Sequence, residues 1–179
     1  MPALSRPALA APAAADDVTE SIDAALAAYA DGDIDEAIEE LAFAQQLLRE
    51  MKTESLSAFL PAAPQGWTRE VDTEMATGMA MMGGGFGAEA TYAGDGARFT
   101  VTLMADNPMV AGFAGMLGNA ALLGGKRLRI GGERFMTQDG NLMGMIDNRI
   151  LVQAEGADPD TMAGVLETMD FDALADFGS

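Results

Sequence analysis

The chain of 179 residues contains no cysteine and no histidine. Their absence removes disulfides, thiolate metal sites, thiol nucleophiles, the Ser-His-Asp constellation and the usual zinc and haem ligands. The side chain best suited to proton transfer near neutrality is missing with them. Positive charge is also scarce: 10 basic residues stand against 28 acidic ones, a formal net charge of -18. Such a field repels phosphate backbones and anionic membrane surfaces, because nucleic-acid binding needs a basic face that releases counterions. Long apolar runs are lacking as well. The stretch 110–125 falls short of the ~20 residues that span a bilayer, and Asn119 interrupts it, so no membrane-spanning segment is expected. What remains is a folding chain, 49% apolar, long enough for one domain with a core and a short appendage. No conventional catalytic site is expected in it.

Residues 1–15 (MPALSRPALAAPAAA) are rich in alanine and proline and end in small residues just before Asp16 and Asp17. They resemble the cleavage end of a secretory signal without its basic and apolar regions, as if the start were placed late. Export to the periplasm is the expectation, with a flexible leader on a cytoplasmic protein as the alternative.

Helical periodicity occupies 18–55. Val18, Ile22, Ala25, Leu26 and Tyr29 recur at helical spacing, and Asp31-Gly32-Asp33 makes a turn. Ile34, Ala37, Ile38, Leu41, Ala44 and Leu48 then share one face, with acidic residues outward. The spacing of Tyr29, Gly32, Ala37 and Ala44 resembles the middle of a tetratricopeptide repeat. In that family the glycine permits the turn and the small residues let two helices approach closely. The resemblance covers one repeat, and Arg49 stands where its closing proline is expected. One helix pair cannot bury its own face, so it must pack on something else. Asp31, Asp33 and Asp35 mimic the start of an EF-hand loop. Glu36 replaces the turn glycine and Ala42 the closing glutamate, so a turn with a helix cap is the expectation.

Pro61, Pro64 and Gly66 lead to Trp67, after which the period changes to two. Strands are expected at 67–71, 88–92 and 98–104, the last two joined around Asp95-Gly96. Asn107-Pro108 opens a predicted helix to about 123, whose Met109, Phe113, Met116, Leu117, Ala120 and Leu123 suit a face laid on a sheet. Strands at 127–130, 133–137, 142–146 and 149–154 follow, turning at Gly131-Gly132, Asp139-Gly140 and Asp147-Asn148. Asp158-Pro159 caps a last helix to about 169, and Phe171, Leu174 and Phe177 continue its apolar edge. The expected fold class is α+β: a mainly antiparallel sheet with two packed helices over 57–179, a helical hairpin over 17–56, and a leader over 1–16. The order from Leu60-Pro61 and Gly66-Trp67 through strand pair, helix, meander and final helix resembles the Mog1/PsbP-like fold over about 60–177. That resemblance implies an accessory or binding protein without catalysis and transfers no functional residue.

Chemistry-bearing patterns are few. Met75, Met79, Met81 and Met82 stand in the nearly uncharged run MATGMAMMGGGFG; thioethers so close are soft ligands able to hold Cu(I). A segment that covers a groove, self-associates or forms a mobile hairpin between the first two strands is the plainer account. Met104, Met116 and Met162 lie on apolar faces and are expected in the core. Gly85-Phe86-Gly87-Ala88-Glu89-Ala90 mimics a dinucleotide fingerprint, but no apolar strand precedes it and no helix follows. Gly124-Gly125-Lys126 is no phosphate loop, because Arg127 takes the hydroxyl position. Glu36, Glu39 and Glu40 belong to a solvated helix face. Lys126, Arg127, Arg129 and Arg134 gather on one strand pair, where they suit an anion, the acidic hairpin or internal pairing. Gly112, Gly115 and Gly118 make a flat helix face, for packing on the sheet, for a ligand groove lined by Met109, Phe113 and Met116, or for an oligomer contact.

The functional expectation is a non-catalytic exported accessory protein acting by contact with a protein partner or a second copy. Tyr29, Gly32 and Phe86 are its candidate interaction residues. The alternatives are a binding module, for Cu(I) or for a small apolar ligand between helix and sheet, and a hydrolase using an enclosed carboxylate pair.

Overall fold

The computed structural model describes residues 13–72, 84–108, 110, 112 and 125–178. They form two compact units, Met1–Met51 and Lys52–Ser179, with the boundary inside a helix. The expected leader lies largely outside the described residues, as do Met75, Met79, Met81, Met82 and most of the helix expected after Asn107.

The first unit is a helical hairpin. α1 (Ala13–Asp31) and α2 (Ile34–Ser57) are joined by a turn in which Gly32 takes a φ of 85°, a left-handed conformation that glycine adopts without Cβ strain. The Asp33 backbone N–H donates to the Ala28 carbonyl (2.9 Å), closing α1. The Asp33 carboxylate accepts the Glu36 N–H (3.2 Å), starting α2. The aspartates that mimic a calcium loop therefore serve as turn and cap.

The second unit is a seven-stranded, wholly antiparallel sheet. Its strands are β1 (Thr68–Asp72), β2 (Phe86–Gly94), β3 (Ala97–Ala105), β4 (Lys126–Ile130), β5 (Glu133–Gln138), β6 (Asn141–Ile146) and β7 (Ile150–Glu155). Their spatial order is β1-β2-β3-β7-β6-β5-β4. Four connections are tight reversals in which both central residues have positive φ: Asp95-Gly96, Gly131-Gly132, Asp139-Gly140 and Asp147-Asn148. That backbone matches strand twist, which is why these dipeptides announce hairpins in the sequence. β3 lies in mid-sheet and the next described strand, β4, at the far edge, with β7, β6 and β5 between them.

One face of the sheet carries the main core. Tyr92, Phe99, Val101, Leu103, Val152, Leu142, Ile146 and Phe135 point to it, with Leu56 and Leu60 from the segment before β1. Two short helices, α3 (Pro159–Leu166) and α4 (Phe171–Ala175), add Met162, Leu166, Phe171 and Leu174. The last helix, expected to reach about 169, ends at Leu166, and a separate short helix starts after Asp170. There the Asp170 carboxylate accepts the Ala173 N–H (2.9 Å) and caps a new helix.

Tyr92 stacks on its cross-strand partner Phe99 (5.0 Å between centroids), and its buried hydroxyl donates to the Pro61 carbonyl (2.6 Å). Burial pushes the Tyr92 phenol up to about 12, against the opposing pull of Arg69. A phenol that ionises less readily when folded contributes stability in full below its unfolded pKa of about 10, lost as pH rises toward the folded value. The urea midpoint is therefore expected to fall between pH 10 and about 12, and in Tyr92→Phe that fall is expected to be shallower. An equal slope in both proteins would refute the assignment to Tyr92.

Candidate interaction surface

The hairpin divides its apolar residues by size. Val18, Ser21, Ala25 and Ala28 of α1 and Ala37 and Ala44 of α2 are buried, forming a seam of small side chains between the helices. The large ones are outside: Ile22, Leu26 (62% exposed) and Tyr29 (68%) on α1, and Ile34, Ile38 (59%), Leu41 and Leu48 on α2. A hairpin stable by itself would bury its large residues, since burial free energy scales with apolar area. This one buries the alanines.

The exposed residues make one face. At about 100° per residue, the stripe Ile22-Leu26-Tyr29 lies roughly 80° round α1 from the seam, and Ile34-Ile38-Leu41-Leu48 is offset similarly and in the same sense on α2. Antiparallel helices are viewed from opposite ends, so an equal offset brings both stripes to the same side of the hairpin. Between them runs the alanine seam, lower than the side chains on either flank. The result is an apolar groove with an alanine floor and walls of Ile, Leu and Tyr. Phe43, half exposed, sits elsewhere on α2. Of the expected interaction residues, Tyr29 is on this face and Gly32 forms the turn beside it.

Phe86, the third, is half-buried in the second unit. Its ring meets Phe177 edge-on (6.4 Å), and the Lys52 ammonium lies over it at 4.4 Å. Lys52 also pairs with Asp106 (3.5 Å), which pairs with Arg149 (3.0 Å).

The second face of the sheet holds residues that periodicity alone does not group. Met104, Leu151 and Met145 are successive cross-strand partners in one row, and Gln153, Met143, Met136 and Arg127 form another. Leu151 is 0% exposed and Met136 2%, while Met104, Met143 and Met145 are half-buried, so this methionine-rich face is partly covered. The signal that could have found it is the alternation of Met143 and Met145 with Leu142, Gly144 and Ile146, which makes β6 apolar on both faces.

Lys126, Arg127, Arg129 and Arg134 are all exposed at the β4 edge of the sheet, and Arg129 lies directly opposite Arg134. Among the described residues none of the four forms an ion pair; Arg129 donates to the Gly132 carbonyl. Like charges on an edge strand oppose sheet-to-sheet pairing, which suffices to explain them. An open cleft of about 440 Å³ adjoins Lys126 and is lined by Asp139, Asp158 and Asp160. The N-terminus of α3 in that cleft is already capped, because the Asp158 carboxylate accepts the Asp160 and Thr161 N–H groups. Its lining is polar and unsuited to an apolar ligand. Ser21 and Asn107 are the buried polar side chains among the described residues, so the enclosed carboxylate pair needed by a hydrolase is not found there. No three carboxylates group as metal ligands among the described residues either.

Comparison with protein-family models, with curated proteins and with solved structures finds no match to this chain.

Proposed function

We propose that this is a non-catalytic accessory protein, exported to the periplasm, that acts by protein contact through the groove of its N-terminal hairpin. The observation that carries this reading is the inverted packing of the hairpin, small residues inside and large ones out. Seven large apolar side chains on one face of two helices form the kind of patch that marks an interaction site. In this reading the hairpin is a single tetratricopeptide-like unit whose stacking neighbour comes from outside, and the second unit is a Mog1/PsbP-like carrier domain. The -18 charge keeps the chain away from nucleic acid and anionic lipid, leaving protein as the partner class.

The test is a double substitution, Leu26→Glu with Ile38→Glu. Both positions are solvent-exposed, so the hairpin is expected to keep its helical circular dichroism. Tagged protein purified from its source is expected to bring down a stoichiometric partner that the variant loses. Because buried anchors at interfaces are worth about 2 kcal/mol or more each, losing two is expected to lower affinity on the order of several hundred-fold. An unchanged partner set in the variant refutes the groove. Fractionation checks the location: recovery from the periplasm supports export, and recovery from the cytoplasm alone refutes it.

A further inference from the structure

We infer that the occupant of the hairpin groove is an amphipathic helix from a different protein, with lysine and arginine flanking its apolar stripe. This rests on the reading of the groove as a docking surface. The shape argues for a helix. The α2 wall runs from Ile34 to Leu48, about 21 Å at 1.5 Å per residue, which matches roughly four turns of a third helix. A helix laid between two antiparallel helices sits over their seam, and the alanines there permit the usual 8–10 Å interaxial approach. Such a partner presents apolar residues at i, i+3, i+4 and i+7 to the two walls.

The charge argues for its flanks. From Asp16 to Glu50 the hairpin carries eleven carboxylates and one base, Arg49, a net charge of -10. Helical spacing puts Asp23 just beyond the α1 stripe and Asp35 just beyond the α2 stripe, so each rim carries a carboxylate, and Arg49 stands on the α2 rim at the end far from the turn. Asp31 and Asp33 add to the turn end. A second copy docked face to face would set these rims against each other, and like-charge juxtaposition across an interface costs several kcal/mol. An anionic bilayer is repelled for the same reason. A helix with basic flanks pairs with both rims while its apolar stripe fills the groove.

The test uses the full chain and three synthetic helical peptides, each long enough to span the groove. All share one leucine stripe; their flanks are Lys/Arg, Gln/Ser or Glu. Binding is followed by fluorescence anisotropy at low and high salt, and self-association by analytical ultracentrifugation. The basic peptide is expected to bind at least about tenfold tighter than the neutral one at low salt, with the advantage lost near 1 M salt. The double variant Asp23→Asn with Asp35→Asn is expected to erase that preference while keeping neutral-peptide binding. Equal binding of basic and neutral peptides, lost in Leu26→Glu with Ile38→Glu, overturns this inference and leaves the groove as a docking surface. A dimer dissolved by the same pair of substitutions does so too, and assigns the groove to a second copy. Peptide binding that survives the pair overturns the docking surface itself.

Discussion

Phe135→Ala is expected to lower the unfolding free energy of the second unit by about 3–5 kcal/mol, the range for deleting a buried phenylalanine ring. The upper part of that range is expected here because the site cannot collapse. Phe135 sits directly across from Gly144, and a Cβ built on Gly144 would lie 2.5 Å from the ring. The ring thus occupies the volume that a side chain on β6 would fill, and its loss opens a cavity beside a residue with nothing to move into it. Phe135 also meets Phe171 of α4 edge-on at 5.8 Å, so the cavity undercuts the helix that closes the core. The same geometry sets a sign reversal. Gly144→Ala alone is expected to destabilise by about 1–3 kcal/mol, because the new methyl collides with the ring. In the Phe135→Ala background it is expected to stabilise, because the methyl enters the cavity. Urea titration of the four proteins checks this as a double-mutant cycle. Additive effects would show that ring and glycine do not share one volume.

Arg149→Ala is expected to cost about 2–4 kcal/mol and to release the C-terminus. The guanidinium donates to the Ala175 carbonyl (3.2 Å), the Phe177 carbonyl (2.6 Å) and the Asp106 carboxylate (3.0 Å). Hydrogen bonds to a charged group contribute about 1.5–3 kcal/mol each when intact, and removing one partner leaves the others desolvated and unpaired. The site is about a third exposed, which discounts the ionic part but not the two carbonyl bonds. Those bonds hold Phe177, whose ring packs edge-on against both Phe59 (6.1 Å) and Phe86. Arg149→Lys is expected to recover only part of the loss, since an ammonium lacks the planar fork that reaches several acceptors at once. Limited proteolysis separates this tether from a general loss of stability. Cleavage is expected to move to the segment after Leu174 under conditions where the rest of the unit stays intact. Uniform sensitivity along the unit would refute a tethering role.

The strands show how far local pattern reaches. Each hairpin turn was legible because Asp-Gly, Gly-Gly and Asp-Asn accept positive φ at both central positions, and alternation did the rest. The expected strand 98–104 became Ala97–Ala105, and 127–130 became Lys126–Ile130. The separate helix α4 escaped, because Phe171, Leu174 and Phe177 read as an apolar edge whether or not the backbone there is helical. The methionine-rich second face escaped for a different reason. Met143 and Met145 share a face by alternation alone, but Met104 and Met136 come from other strands, and only strand register places them beside that pair.

The sequence by itself determined which chemistry is missing. Without histidine or cysteine, chemistry that needs an imidazole or a thiol loses its parts before any fold is known. It also determined that 18–55 would be a helical pair, since a 3.6-residue period interrupted by Asp-Gly-Asp admits little else. It did not determine which part of the apolar arc is inside. Periodicity put Ile34, Ala37, Ile38, Leu41, Ala44 and Leu48 on one face as equals. Tertiary structure split them, burying Ala37 and Ala44 and leaving the rest in solvent. The reason is distance: two helices in close contact accept only small side chains along the line between them, so the large ones turn outward. That division is settled between helices, which no single helix's period records, and it turns an amphipathic hairpin into a groove.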